Sequence, residues 1–186
     1  MDQVSYIGDQ FSAVTAPYVA MVGAGEGRSF WVFGILVTMK VFGDQTRGSY
    51  ACFENTVSPG VAPPLHIHTH EAETWYLLDG EMIWTVGRQT FHARKGSFMH
   101  LPPYVAHTFA NNFDKPAQML LTFAPSGFEK WFTRIGVPVM NSSAPGDPPL
   151  TSGQDLKIAQ NLAGDYGVIF AGPSLDANGE LKLEFS

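Results

Sequence analysis

The sequence predicts an all-β fold, a sandwich or barrel of short strands followed by short helices near the C-terminus. Three observations carry that expectation. Between residues 30 and 124 the chain runs in short β-rich stretches punctuated by Gly, Pro, Asn and Asp, the spacing of a sandwich or barrel. No helical pattern alternates with these stretches, so a parallel sheet is not expected. Aromatic residues reach 13%, with 14 Phe, 6 Tyr and 4 Trp, a content that suits pleated surfaces and an apolar interior.

Residues 1–28 are weakly patterned and read as an N-terminal arm or a short edge strand. Within them "GAGEG", Gly23 to Gly27, lacks the strand–loop–helix surroundings of a phosphate loop and reads as a plain turn. The predicted strands are residues 30–41, 49–57, 74–78, 81–86, 89–92, 97–101, 106–111 and 118–124. They make up a body of residues 29–125. Residues 126–186 form a C-terminal extension of different character. "SGFEKWFTRIG" carries a capping-box signature, Ser126 with Glu129 three residues later, and ends at Gly136 before Pro138. After the Pro-rich loop "NSSAPGDPPL", the stretch "SGQDLKIAQNLAG" predicts a second helix stopped by Gly164, and "YGVIFAGPSL" a last strand packed on the body. No repeat or long linker divides the 186 residues, so one domain is expected overall.

Charge and composition exclude several classes. The net charge is −6 and no Lys/Arg-rich run occurs, which argues against nucleic acid, whose binding rests on clustered cations. Cys52 is the single cysteine. It rules out an intrachain disulfide, fits a reducing compartment, and within strand-like "SYACFENTV" reads as a structural thiol. No stretch is long and apolar enough to span a bilayer. The N-terminus lacks a basic n-region and carries Pro17 inside its apolar part, so no signal peptide is expected. The expected location is the cytoplasm.

The candidate site begins in "PPLHIHTHEAETWYLLDG", residues 63–80, which holds three of the six histidines. On a strand, side chains at i and i+2 share a face, so His66 and His68 can approach one ion together. His70 continues the same parity and is not excluded by it. The flanking frame reads G-x5-H-x-H-x4-E-x6-G from Gly60 to Gly80. A second block, "GSFMHLPPYVAHTFAN", reads G-x5-P-x4-H-x3-N from Gly96 through Pro102 and His107 to Asn111. The segment between them, "EMIWTVGRQTFHARK", reads as one hairpin.

Both blocks, in this order, resemble the two sequence motifs of the cupin superfamily. The resemblance implies a small jelly-roll β-barrel and a single divalent metal held by His66, His68, Glu73 and His107, with His70 and Glu71 at positions the motif leaves open. Three imidazoles and a carboxylate make a mixed N/O set suited to Fe, Mn, Co, Ni or Cu; zinc is less favoured, since structural zinc sites usually use cysteine. One position departs from the motif: Tyr104 stands two residues after Pro102, where glycine is usual. Glycine tolerates φ > 0 at no steric cost, so the turn before His107 is expected to differ, with Tyr104 able to project into the pocket mouth. Strand parity with Glu73 and His107 points to Trp75 and Phe109, and the intervening strand to Trp84, as candidate lining of a substrate pocket for a flat, apolar or aromatic molecule; Phe98 and His100 share one face of their strand, which either lines the same pocket or meets solvent. Most of these aromatic and apolar positions equally suit the core of a small barrel. His92, near a turn, is expected to be exposed.

Beyond the motifs, "GEGRSFWVFGILVTMKVFGDQTRG", "SPGVAPPLHIH" and "APSGFEKWFTRIGVP" resemble single-domain cupins of the quercetin 2,3-dioxygenase type, with a helix directly after the barrel. That likeness implies a metal-dependent, ring-cleaving dioxygenase acting on flavonols with release of carbon monoxide, Glu73 being both ligand and catalytic base. The implied partners are a small-molecule substrate, dioxygen, and a second copy of the chain in a homodimer. The same fold and ligands also serve redox-neutral isomerases, cyclases, dehydratases and decarboxylases, and non-catalytic small-molecule binders, so fold alone does not choose among them.

Overall fold

The computed structural model describes residues 20–141, 146–150, 152–176 and 179–180. The arm expected over residues 1–28 therefore lies largely outside the described residues. Its last part contains the Gly23 turn, closed by the Glu26 N–H on the Gly23 carbonyl at 3.2 Å and by the Gly23 N–H on the Glu26 carboxylate at 2.9 Å.

The strands are β1 (Arg28–Val32), β2 (Ile35–Val41), β3 (Ala51–Val57), β4 (His66–His68), β5 (Ala72–Asp79), β6 (Glu81–Val86), β7 (Gln89–Arg94), β8 (Phe98–Leu101), β9 (His107–Ala110), β10 (Ala117–Ala124), β11 (Val137–Val139) and β12 (Val168–Phe170). Helix α1 (Glu129–Ile135) precedes β11, and α2 (Gly153–Ala163) precedes β12. One antiparallel sheet has the order β11-β1-β2-β3-β10-β5-β8, the other β12-β4-β9-β6-β7. They share one core that includes Phe53, Trp75, Met82, Trp84, Met119 and Phe123. Alternation explains the packing: β3 and β10 bury every second residue, as expected of strands with one face on a core.

The expected strand over residues 30–41 is two strands. A two-residue hairpin at Phe33 (φ 50°) and Gly34 (φ 82°) pairs Val32 with Ile35. Such a turn needs φ > 0 at both positions and usually carries Asn-Gly or Asp-Gly; here Phe fills the first, so the apolar run hides the break. The capping box expected at Ser126 does not form. Phe128 precedes α1 without a side-chain cap, and Glu129 is buried, accepting from the N–H groups of Gly43 (3.2 Å) and Gly127 (2.5 Å). The capping box is instead at α2, between Ser152 and Asp155. Gly164 does not end that segment: a short 3-10 turn continues to Tyr166, and Gly167 at φ 72° stops it. The expected last strand forms as β12, paired with β4, and the extension also contributes an unexpected strand, β11, paired with β1. Pro138 of β11 is tolerated because β11 is an edge strand.

Cys52 lies half-buried on the outer side of β3, where burial pushes its thiol up despite contact with Thr122; a raised pKa disfavours the reactive thiolate. His92 is exposed, 2.6 Å from the Glu81 carboxylate and stacked on Phe113.

Candidate metal centre

Four donors converge where the two sheets meet. His66 on β4 pairs with His107 on β9, while Glu73 on β5 pairs with Phe123 and Leu101. One ligand atom from each of His66, His68, Glu73 and His107 lies within 4.8 Å of all the others. Period-two geometry turns His66 and His68 to one side, and their rings stand 5.2 Å apart between centroids. His66 and His107 are closer, at 4.5 Å. His70 is exposed, packed where a Cβ on Gly167 would fall 2.2 Å from its Nδ1, and is not among the converging donors.

The surroundings fix how each donor faces. Nδ1 of His66 is 2.8 Å from the Pro64 carbonyl, and Nδ1 of His107 is 2.8 Å from the Val105 carbonyl. Each pairing favours the proton on Nδ1 and leaves Nε2 free as a lone-pair donor. The Trp75 indole N–H donates to Glu73 Oε1 at 2.5 Å. That leaves Glu73 Oε2 facing the imidazoles, 2.8 Å from His107 Nε2 and 3.7 Å from His68 Nε2.

Burial without partners is the sharpest feature. His68 Nε2, His107 Nε2 and Glu73 Oε2 are all buried and, among the described residues, lack hydrogen-bond partners, the 2.8 Å approach of His107 Nε2 to Glu73 Oε2 being an ion-pair contact within the cluster itself. Orphaned polar atoms in a core are costly, and three that converge fit a shared cation. The donor set, three imidazoles and one carboxylate, suits a divalent transition metal.

The charges agree. Burial, together with the neighbouring His107 and His68, pushes His66 down to about 3, so it is a neutral donor at physiological pH. Burial alone would raise Glu73, but the contact with His107, followed by His68 and His66, holds it down at about 2. Burial would lower His107, yet its contact with Glu73 outweighs this and leaves it raised.

Glu71, left open by the motif, is 4% exposed, and its Oε2 lies 3.8 Å from His68 Nδ1. Neither atom has a hydrogen-bond partner among the described residues. Where His66 and His107 face backbone carbonyls, His68 faces a carboxylate.

A cavity of about 240 Å³ opens from the cluster. His66, His68, Glu73 and Phe109 line it, along with Phe128 and Trp131 from the α1 region. Of the expected lining residues, only Phe109 is part of this wall. Trp75 is fully buried behind it as the hydrogen-bond donor to Glu73, and Trp84 packs on Trp75 at 5.2 Å. Phe98 and His100 are exposed. The reason is register: Met99 and Leu101 stand opposite Trp75 and Glu73 and share their inward face, so Phe98 and His100 turn outward with Tyr76 and Thr74. Tyr104 is also outside the cavity, 72% exposed. Tyr104 adopts φ 67°, the left-handed region that glycine favours, and its N–H donates to the His68 carbonyl at 2.8 Å.

Residues 53–123 match the family model described as a cupin domain. A quercetin 2,3-dioxygenase of Bacillus subtilis is 27% identical over 133 residues, which cover 71% of this chain. The chain spans 38% of the length of that relative. Among solved structures, a predicted oxalate decarboxylase from Thermotoga maritima superposes with a TM-score of 0.54 at 15% identity, covering 57% of this chain and 99% of that one. KdgF from Halomonas sp. superposes with a TM-score of 0.52 at 11% identity, covering 59% and 96%. At these identities the structural likeness is one of fold.

Proposed function

We propose, from the premise that residues 53–123 form a cupin domain, that the protein is a metal-dependent enzyme of the dioxygenase type acting on a flat, oxygenated ring compound. The observation that carries this reading is the buried three-histidine, one-carboxylate cluster opening into a cavity walled by aromatic side chains. The 27% identity to a quercetin 2,3-dioxygenase supports it.

His66, His68, Glu73 and His107 would hold one divalent transition metal. Bound there, such a metal supplies a Lewis-acid centre for substrate oxygens and, when redox-active, a partner for dioxygen chemistry. The remaining work falls to the chain. Glu73 would accept the proton of a substrate hydroxyl at Oε2, while Trp75 keeps Oε1 occupied and the carboxylate aimed. Phe109, Phe128 and Trp131 orient a flat ring and exclude water from reactive intermediates.

The test is oxygen uptake by metal-loaded protein over a panel of flavonols and related phenolic and polyketide-like compounds, repeated in an anaerobic chamber. The expected result is turnover that stops without oxygen and labelled oxygen in the product. Turnover that persists anaerobically and yields an isomer, dehydration product or decarboxylated product overturns the dioxygenase reading in favour of redox-neutral Lewis-acid chemistry. Glu73→Gln should cut turnover more than metal content under either chemistry, because an amide oxygen still coordinates but is a far poorer base.

A further inference from the structure

Among the described residues, the cavity wall has three polar residues apart from the donor cluster, Asn55, Gln160 and Ser174. Gln160 is exposed and Ser174 half-buried, whereas Asn55 is 2% exposed. Among the described residues its Oδ1 has no hydrogen-bond partner. Asn55 points inward from β3, between Phe53 and Val57 on its own strand and level with Val37 and Met119 on the neighbouring ones. A buried amide oxygen left unpaired among apolar side chains destabilises the fold it sits in. A leucine would fill the same place without that penalty. The cost is understandable if the partner of the amide arrives with a ligand.

We propose that Asn55 is a specificity-determining contact that pairs with a hydroxyl of the bound molecule at a point remote from the donor cluster. Through the register, Asn55 stands opposite Met119, which stands opposite Leu77, four residues along β5 from Glu73. Two strand spacings and four residue rises put the Asn55 and Glu73 Cα atoms on the order of 15 Å apart. The ligand class that follows is an elongated apolar or aromatic molecule with polar groups at two separate places. Metal-facing oxygens lie at one and a hydroxyl at the other. A hydroxyl both donates and accepts, so it satisfies the amide whichever way its oxygen and nitrogen are assigned.

This inference rests on the reading that the cavity holds a small molecule, but not on ring cleavage or oxygen consumption. The experiment uses 2-naphthol and naphthalene, titrated into the full chain in metal-loaded and chelator-treated forms and followed by quenching of tryptophan fluorescence, since Trp131 lines the cavity. An apolar cavity without a partner for the hydroxyl would favour naphthalene. The expected result is that the wild-type chain favours 2-naphthol by about tenfold. Asn55→Leu and Asn55→Ala should both lose that preference, with Asn55→Leu no less stable to heat than the wild type.

Four results overturn the assignment: the wild-type chain binds neither probe, it shows no preference, both variants keep the preference, or both variants fall well below wild-type stability. The last would make Asn55 a residue the fold itself requires. Because neither readout involves oxygen uptake, failure of the dioxygenase reading and failure of the Asn55 assignment are separate outcomes.

Discussion

Glu71 lies buried with its Oε2 3.8 Å from Nδ1 of His68, whereas His70, one residue earlier, is exposed against Gly167. A carboxylate behind a ligating imidazole orients the ring and raises its basicity, and losing one typically costs 10–100-fold in metal affinity. We therefore expect His66→Ala, His68→Ala and His107→Ala to lose most bound metal and His70→Ala to keep it. Glu71→Ala should weaken metal affinity by roughly 10–100-fold, with Glu71→Gln recovering much of it. Elemental analysis and chelator competition read both effects, and wild-type affinity in Glu71→Ala would remove Glu71 from the site. The pairing of His66 with His68 was legible in the sequence because strand parity is local. Glu71 was not, because it sits in the bend between β4 and β5, where alternation no longer dictates which way a side chain turns.

Between β8 and β9 the chain turns through Tyr104 at φ 67°, and the N–H of that residue ties the turn to the strand carrying His68. The left-handed conformation costs an L-residue roughly 1–2 kcal/mol, and an exposed side chain recovers little of that by packing. Tyr104→Gly should therefore raise stability by about 1 kcal/mol after the greater chain entropy of unfolded glycine is counted. Denaturant titration measures it, with metal content as the control; a loss of stability would show that the tyrosine ring makes contacts that outweigh the strain. Most strands were legible, since β6 spans the expected residues and β3, β5, β7, β8, β9 and β10 differ from expectation by a few residues at their ends. Three of the misread features have a plain physical reason. The β1–β2 hairpin places Phe at a position that usually advertises itself with Asn or Asp. Glu129 was drawn from a cap into buried contacts with Gly43 and Gly127, partners far apart in sequence from each other. Strand β8 turns Met99 and Leu101 inward, and in an apolar-aromatic segment such as "SFMHL" both faces look equally buriable.

Strands and helices from both parts of the chain build the cavity together, so its walls were the least legible feature of the sequence. The body supplies the four donors and Phe109, while Phe128, Trp131 and Phe170 come from the extension. The same assembly gives the molecule a pH response that can be worked out in sign. In metal-free protein His66 sits at about 3 against an ordinary 6.5, so as pH falls between these values the unfolded chain takes up a proton that the folded chain does not. Stability is lost across that window. Glu73, at about 2 against 4.5, adds a loss of the same sign at lower pH. His107 acts oppositely: its raised value stabilises the fold below 6.5, and that contribution disappears as pH rises through the folded value. Stability of the chelator-treated chain should thus pass through a maximum near neutrality and fall on both sides. A bound metal removes the alkaline limb, because it replaces the proton that His107 shares with Glu73, and adds stability that grows with metal concentration. Denaturant midpoints measured from pH 4 to 9, with and without metal, test the shape. His66→Asn in chelator-treated protein isolates the acid limb, since it removes the group whose protonation the fold resists. A midpoint that falls as steeply between pH 6.5 and 4 in that variant as in the wild type would mean that other groups drive acid unfolding.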